Sequence, residues 1–210
     1  MATVNVKPPA ARAGRKRSED GRLAILAAAI ELVGEVGYAR LTIEGIAARS
    51  GAGKQTIYRW WPSKADVLFD ALATKADLHV PVTDQGSYAQ DLHVFLTASF
   101  RLADTPVVLD VLRALMAHAQ LDLAFGDRFR ESFLYRRRDA LGEIVSRARE
   151  RGDLPPGIAP GTVADIVFGV IWYRVMATRQ PPGDDLADEL VTALTGAEHA
   201  ARENAEPLRD

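Results

Sequence analysis

The 210-residue chain contains no cysteine, so it offers neither a disulfide framework nor a thiolate metal site. Histidine is scarce too: His79, His93, His118 and His199 are scattered and form no i, i+4 pair around a glutamate. No glycine-rich phosphate loop or nucleophile elbow is present. Asp184-Asp185 follows Pro181-Pro182-Gly183 and reads as the acidic start of a helix rather than as a catalytic pair. No enzymatic activity, cofactor or metal is therefore expected. No apolar run approaches the ~18 residues that suggest a membrane span; the longest, 166–173, stops at Arg174. The first 20 residues are charged and lack an apolar signal-peptide core, so a cytoplasmic protein with no membrane partner is expected. With 48% hydrophobic residues, the chain can still bury a substantial core.

The formal net charge of −2 conceals an asymmetry. Residues 1–64 carry 11 Lys plus Arg against 5 Asp plus Glu, whereas residues 65–210 carry 15 against 23. A basic head on an acidic body suits a nucleic-acid reader joined to a separate regulatory part. Part of the excess lies in Arg12, Arg15, Lys16 and Arg17, within a leader that has no apolar periodicity. Such an arm is expected to be disordered when free and to lie along DNA when bound. The alternative is a tail that merely aids solubility.

Residues 41–64, LTIEGIAARSGAGKQTIYRWWPSK, carry the strongest signal. Thr42 can cap a helix whose buried stripe is Ile43, Ile46 and Ala47. Ser50-Gly51-Ala52-Gly53 forms a turn, with Gly51 suited to a left-handed helix end. A second helix over 54–61 turns Ile57 and Trp61 inward. Lys54, Gln55, Thr56, Tyr58 and Arg59 are left outside. Pro62 ends this helix and Ser63 caps the next. Two short helices joined by a small-residue turn make a helix-turn-helix, whose second helix enters the major groove.

The pattern Thr42, Ile46-Ala47, Gly51 and Thr56-Ile57-Tyr58-Arg59-Trp60-Trp61-Pro62-Ser63-Lys64 resembles the DNA-binding domain of the tetracycline-repressor (TetR) family, and the match spans residues 21–71. Upstream, a helix over 22–36 with Leu23, Leu26, Ile30 and Val33 on one face fits the same family. The chain departs from it in the Trp60-Trp61 pair and in Gly53-Lys54-Gln55 at the start of the second helix. The resemblance implies that Thr42, Thr56, Tyr58, Trp60 and Lys64 approach phosphates. Lys54, Gln55 and Arg59 would then face base edges.

Further helices are expected over 63–78, 88–102, 106–116 and beyond, 123–151, 160–178 and 184–200, giving an all-α chain of about nine helices. The expected divisions are a disordered basic arm (1–17), a helix-turn-helix domain (18–64) and a helical regulatory and dimerisation domain (65–210). The helix over 160–178 is apolar nearly all round, so it is expected to be covered on both sides. Phe168, Ile171, Trp172 and Val175, with Leu190 and Leu194 from the last helix, are the candidate homodimer contacts. The resemblance implies such a four-helix interface; a monomer with one deeply buried helix is the alternative. Arg151 to Trp172-Tyr173-Arg174 is also similar to one C-terminal class of the family.

A ligand cavity among the later helices is likewise implied by the resemblance. Phe95, Met116, Phe125, Phe129 and Phe133 are candidates to line it, although their helical spacing also suits ordinary core packing. Arg136-Arg137-Arg138 point in three directions, which favours a solvated face over a site for acidic ligands. The expected function is a ligand-responsive regulator that binds palindromic double-stranded operator DNA as a homodimer and is released by a small, mainly apolar effector. A repressor is the leading reading, and an activator of the same fold is the variant of it. The alternative from another class is a helical small-molecule-binding or scaffold protein that no longer reads DNA.

Overall fold

The computed structural model describes residues 11–75, 82–101 and 105–196, with only the backbone described at 11–17, 75 and 184. Among the described residues there are nine helices and no strand. They divide into two compact units that meet in sequence at Lys75 and Ala76.

The first unit holds α1 (Ala11–Arg40), α2 (Ile43–Ser50), α3 (Lys54–Trp60) and α4 (Lys64–Lys75). Gly37, at φ 75°, breaks the regular course of α1 near its end. Ile25, Leu26, Ala29, Ile30 and Val33 form its buried stripe. Leu23, expected on that stripe, is instead exposed, because Ile25 and Ala29 set the inward direction. The backbone of 11–17 is helical, whereas a disordered arm was expected there. Alanine, arginine and lysine are good helix formers, and extending an existing helix needs no new nucleus. The head also reaches beyond the expected boundary at residue 64, since α4 packs on α1 through Val67, Leu68, Ala71 and Leu72.

The second unit holds α5 (Tyr88–Phe100), α6 (Pro106–Leu121), α7, α8 and α9 (Asp184–Thr195). α7 runs continuously through Leu123–Phe129, a π-helical turn Arg130–Tyr135, and Arg136–Arg151. α8 comprises Pro160–Trp172 and a second π-helical turn, Tyr173–Thr178. Pro106 occupies the first turn of α6, where the missing N–H costs nothing, although the Thr105 hydroxyl makes no cap bond. α9 stops at Thr195, short of the expected residue 200, because Gly196 takes a left-handed φ of 66°.

The core of this unit joins Tyr88, Leu92, Phe95 and Leu96 of α5 to Leu141, Ile144 and Val145 of α7, Val163 and Val167 of α8, and Leu190 and Leu194 of α9. At one end, buried Asp91 accepts from Gln85 N at 2.6 Å, Arg151 Nη2 at 2.9 Å and Arg147 Nε at 3.2 Å. This knot ties the segment before α5 to the end of α7. By length and composition α8 could also cross a membrane, as core helices of folded domains can. Here Val163, Ala164, Val167 and Val175 are buried against the unit, and Asp165 pairs with Arg138 at 2.7 Å.

Candidate nucleic-acid interface and ligand cavity

The ends of α2 and α3 are set by local chemistry. Thr42 Oγ1 accepts from Gly45 N at 3.0 Å and caps α2. A Cβ on Gly45 would lie 2.9 Å from Leu32 Cδ2, so α1 and α2 cross closely here and a side chain would displace the end of Leu32. Gly51 closes α2 at φ 70°, as its place in the turn predicts. α3 is short, and Ile57 anchors it in the core at 0% exposure. Trp61 lies just past its end, in extended conformation before Pro62, and its Nε1 donates to Asp70 Oδ2 at 3.0 Å. Arg22 Nη2 of α1 donates to the same oxygen at 2.9 Å. The Asp70 hydrogen bond raises the pKa of Arg22 above its ordinary value. One carboxylate therefore fixes α1, α3 and α4 together.

With Ile57 and Trp61 inward, the opposite face of α3 presents Lys54, Gln55, Tyr58, Arg59 and Trp60 to solvent, while Thr56 is half-buried. Tyr58 and Trp60 remain 53% and 44% exposed, an unusual display for large aromatic rings. Lys54 Nζ pairs with Glu44 Oε1 at 2.8 Å, and that pairing lowers the Glu44 pKa. Lys64 does not lie on this face. Its Nζ donates to the carbonyls of Tyr38 at 2.8 Å and Leu41 at 2.9 Å, and it sits 4.5 Å above the centre of the Tyr38 ring. Burial lowers its pKa. The side chains of Arg15, Lys16 and Arg17 lie outside the described residues.

In the second unit, a cavity of about 280 Å³ is lined by residues of α5 to α8 and by Pro182. Met116 and Phe133, two of the candidate ligand residues, line it. Phe95, Phe125 and Phe129 are not among its lining residues; each is fully buried. Phe125 and Phe129 stack at 5.9 Å, and Phe95 meets the edge of Phe168 at 6.4 Å. Helical periodicity marks these rings as inward-facing without telling core from cavity. Phe168, Ile171, Trp172 and Val175, the candidate subunit contacts, line the cavity. Leu190 and Leu194 are likewise covered by their own unit, at 6% and 4% exposure. The outward stripe of α8 is Ile166, Gly169, Tyr173 and Met176, recurring at three- and four-residue spacing.

Both π-helical turns border this cavity. Phe133, Leu134 and Tyr135 come from the first and Val175 from the second. A wide turn shifts side-chain register, and such turns are frequent at functional sites. Arg113 Nε donates to Val175 O at 2.7 Å, pinning the second turn. Neither feature was legible in the sequence.

The comparisons agree with this architecture. Residues 25–71 match the family described as "Bacterial regulatory proteins, tetR family", and residues 82–194 match "Tetracyclin repressor-like, C-terminal domain". The chain belongs to the TetR family. It is 33% identical over 181 residues to the uncharacterized HTH-type transcriptional regulator YdeS of Bacillus subtilis, covering 86% of this chain and 89% of that protein. It is 29% identical to the DNA-binding transcriptional repressor TetR of Mycobacteroides abscessus, covering 85% and 95%. Among solved structures, the TetR family transcription regulator SCO0332 matches with a TM-score of 0.65 and 29% identity, over 84% of this chain and 97% of that one. This TetR-family chain is accordingly a DNA-binding transcriptional regulator with a C-terminal ligand-binding domain.

Proposed function

We propose that this TetR-family protein is a repressor that binds a two-fold symmetric operator as a homodimer and releases it when a small molecule enters the cavity of its second unit. The observation that carries the reading is the exposed face of α3, with Lys54, Gln55, Tyr58, Arg59 and Trp60 turned away from the Ile57 and Trp61 anchors. Lys54 and Gln55 have the donor chemistry to read guanine and adenine edges, and Arg59 stands beside them. The Thr42 hydroxyl, Thr56, Tyr58 and Trp60 suit phosphates. Arg15, Lys16 and Arg17, ahead of the helix-turn-helix in sequence, add basic charge that suits phosphates.

Dimerisation rests on the outward α8 stripe of Ile166, Tyr173 and Met176, which are 38%, 64% and 38% exposed. An apolar stripe of this kind on a helix already buried on its other side suits a second copy. Release requires only that the effector bind more tightly to the dimer arrangement in which the two heads no longer match successive major grooves. A gel-shift titration with double-stranded DNA flanking the protein's own gene tests the proposal. A symmetric footprint, competed poorly by unrelated DNA, is expected; binding indifferent to sequence would leave a helical ligand-binding or scaffold protein in its place.

A further inference from the structure

The cavity is apolar on almost every side: Leu109, Leu112, Met116, Phe133, Phe168 and Trp172 supply much of its wall. Among its lining residues, Ser99, Tyr135, Arg137 and Arg138 carry polar groups, and two of these stand out. The first is Arg137, whose side chain enters from α7 and is 7% exposed. Its Nε and Nη2 atoms have no hydrogen-bond partner among the described residues. Its guanidinium lies over the face of Phe133, 5.0 Å from the ring centre. The second is Ser99 of α5, whose buried hydroxyl is also without a partner and lines the same cavity.

Neighbouring arginines show that this is a property of the position rather than of the run. Arg136 is exposed. Arg138, at the cavity rim, is committed to Asp165 at 2.7 Å and to Gly161 O at 3.2 Å. Among the described residues, Arg137 alone of the three is taken out of water with no ion-pair partner. A buried guanidinium with idle donors is costly, and proteins retain such groups where something supplies the missing acceptors. Burial pushes its pKa down to about 10, so it keeps its proton at neutral pH.

Resting on the reading of this cavity as the effector site, we infer that the effector is an organic acid: an apolar, one- or two-ring-sized body bearing a carboxylate that Arg137 receives through its idle N–H donors, with the Ser99 hydroxyl as a second donor. A carboxylate matches the guanidinium fork in geometry and charge. The volume sets the body: about 280 Å³ is close to twice the ~150 Å³ cavity that holds one benzene ring. Trp172 and Phe133 provide flat apolar walls for it.

Paired probes that differ only in the head group test the inference: 2-naphthoic acid against methyl 2-naphthoate, and octanoic acid against methyl octanoate. Titration calorimetry on the full chain gives affinities, and thermal melts check that each variant folds. In the wild type at least one acid should bind tenfold or more tightly than its ester. Arg137→Gln should weaken that acid at least tenfold while leaving the ester unchanged. Arg137→Lys, which keeps the charge but loses the fork, should fall between them, and Ser99→Ala should cost severalfold. Esters binding as well as acids, acids binding Arg137→Gln unchanged, or no probe binding the wild type would each overturn the inference. The same probes added to the operator gel shift separate the two readings. Arg137-dependent acid binding without release of DNA would leave the anion site standing and remove ligand-induced release.

Discussion

The ammonium of Lys64 lies over the ring of Tyr38 and donates to the backbone carbonyls of Tyr38 and Leu41, 26 and 23 residues earlier in the chain. Lys64 thus closes the connection between α1 and α2 and fixes the start of α4 against it. A lysine that spends its donors on carbonyls of its own domain positions the helix-turn-helix instead of lying freely along a phosphate.

Replacing it exposes that role. Lys64→Ala should lower the stability of the first unit by about 1.5–3 kcal/mol, because it removes charged hydrogen bonds from half-buried carbonyls. Operator affinity should fall for all sequences alike, in proportion to the unfolded fraction, and the salt slope should stay nearly unchanged. A loss of about one unit of slope with an unaltered melt would instead mark Lys64 as a phosphate contact. Thermal denaturation and salt titrations on the same samples decide between the two.

The exposed face of α3 yields a different pair of expectations. Gln55→Ala should relax preference at one base position and cost roughly 1–3 kcal/mol there, read by binding to a panel of single-base operator variants. Glu44 shields Lys54 through an exposed ion pair, and exposed pairs contribute little to stability. Glu44→Gln should leave the melt unchanged, raise DNA affinity severalfold at low salt and steepen the salt slope by about one as Lys54 becomes available. An affinity that stays flat would place Lys54 away from the DNA.

Much of the head could be read from sequence because its signals are local. Thr42, Gly51, Pro62 and Ser63 each set a boundary within a few residues, and the structure bears them out: Ser63 Oγ, for instance, accepts from Asp66 N at the start of α4 and donates to Asp66 Oδ2. The inward turn of Lys64 depends on partners more than 20 residues away, which no local pattern encodes. The same limit applies to the second unit. An apolar stripe says that a face is covered but not by what, so Leu190 and Leu194 suited a subunit contact as well as the core of their own unit, which covers them in this chain. The run Arg136-Arg137-Arg138 looked solvated because its three residues point in different directions, and which of them turns inward depends on register past the π-helical turn just before it, a turn with no evident sequence mark.

The buried Asp91 knot makes the second unit acid-sensitive. Burial alone would raise the Asp91 pKa, but the Gln85 N–H, Arg151 and Arg147 outweigh it and hold the carboxyl below its usual range. A depressed folded-state pKa contributes stability that is fully present above the unfolded value of about 4 and is lost as pH falls through the folded one. Melting temperature should therefore drop steeply below about pH 4. Asp91→Asn should cost about 1.5–3 kcal/mol at pH 7 and flatten the acid limb. An unchanged acid limb in the variant would assign the sensitivity to other carboxylates.

The proposed subunit contact through α8 can be tested apart from the integrity of the fold. Ile166 and Tyr173 face outward, whereas Leu194 is nearly inaccessible within its own unit. Ile166→Glu and Tyr173→Glu would place a carboxylate at a subunit contact without disturbing the core, and a buried unpaired charge there opposes association. Both variants should keep the wild-type far-ultraviolet circular dichroism and sediment as monomers. Operator affinity should drop sharply, since one half-site holds one head and two-fold recognition depends on both. Leu194→Glu should act otherwise: it buries charge inside the unit, so lost helicity and aggregation are expected ahead of clean dissociation. Dimeric Ile166→Glu and Tyr173→Glu proteins with normal operator affinity would move the subunit contact off the outer face of α8.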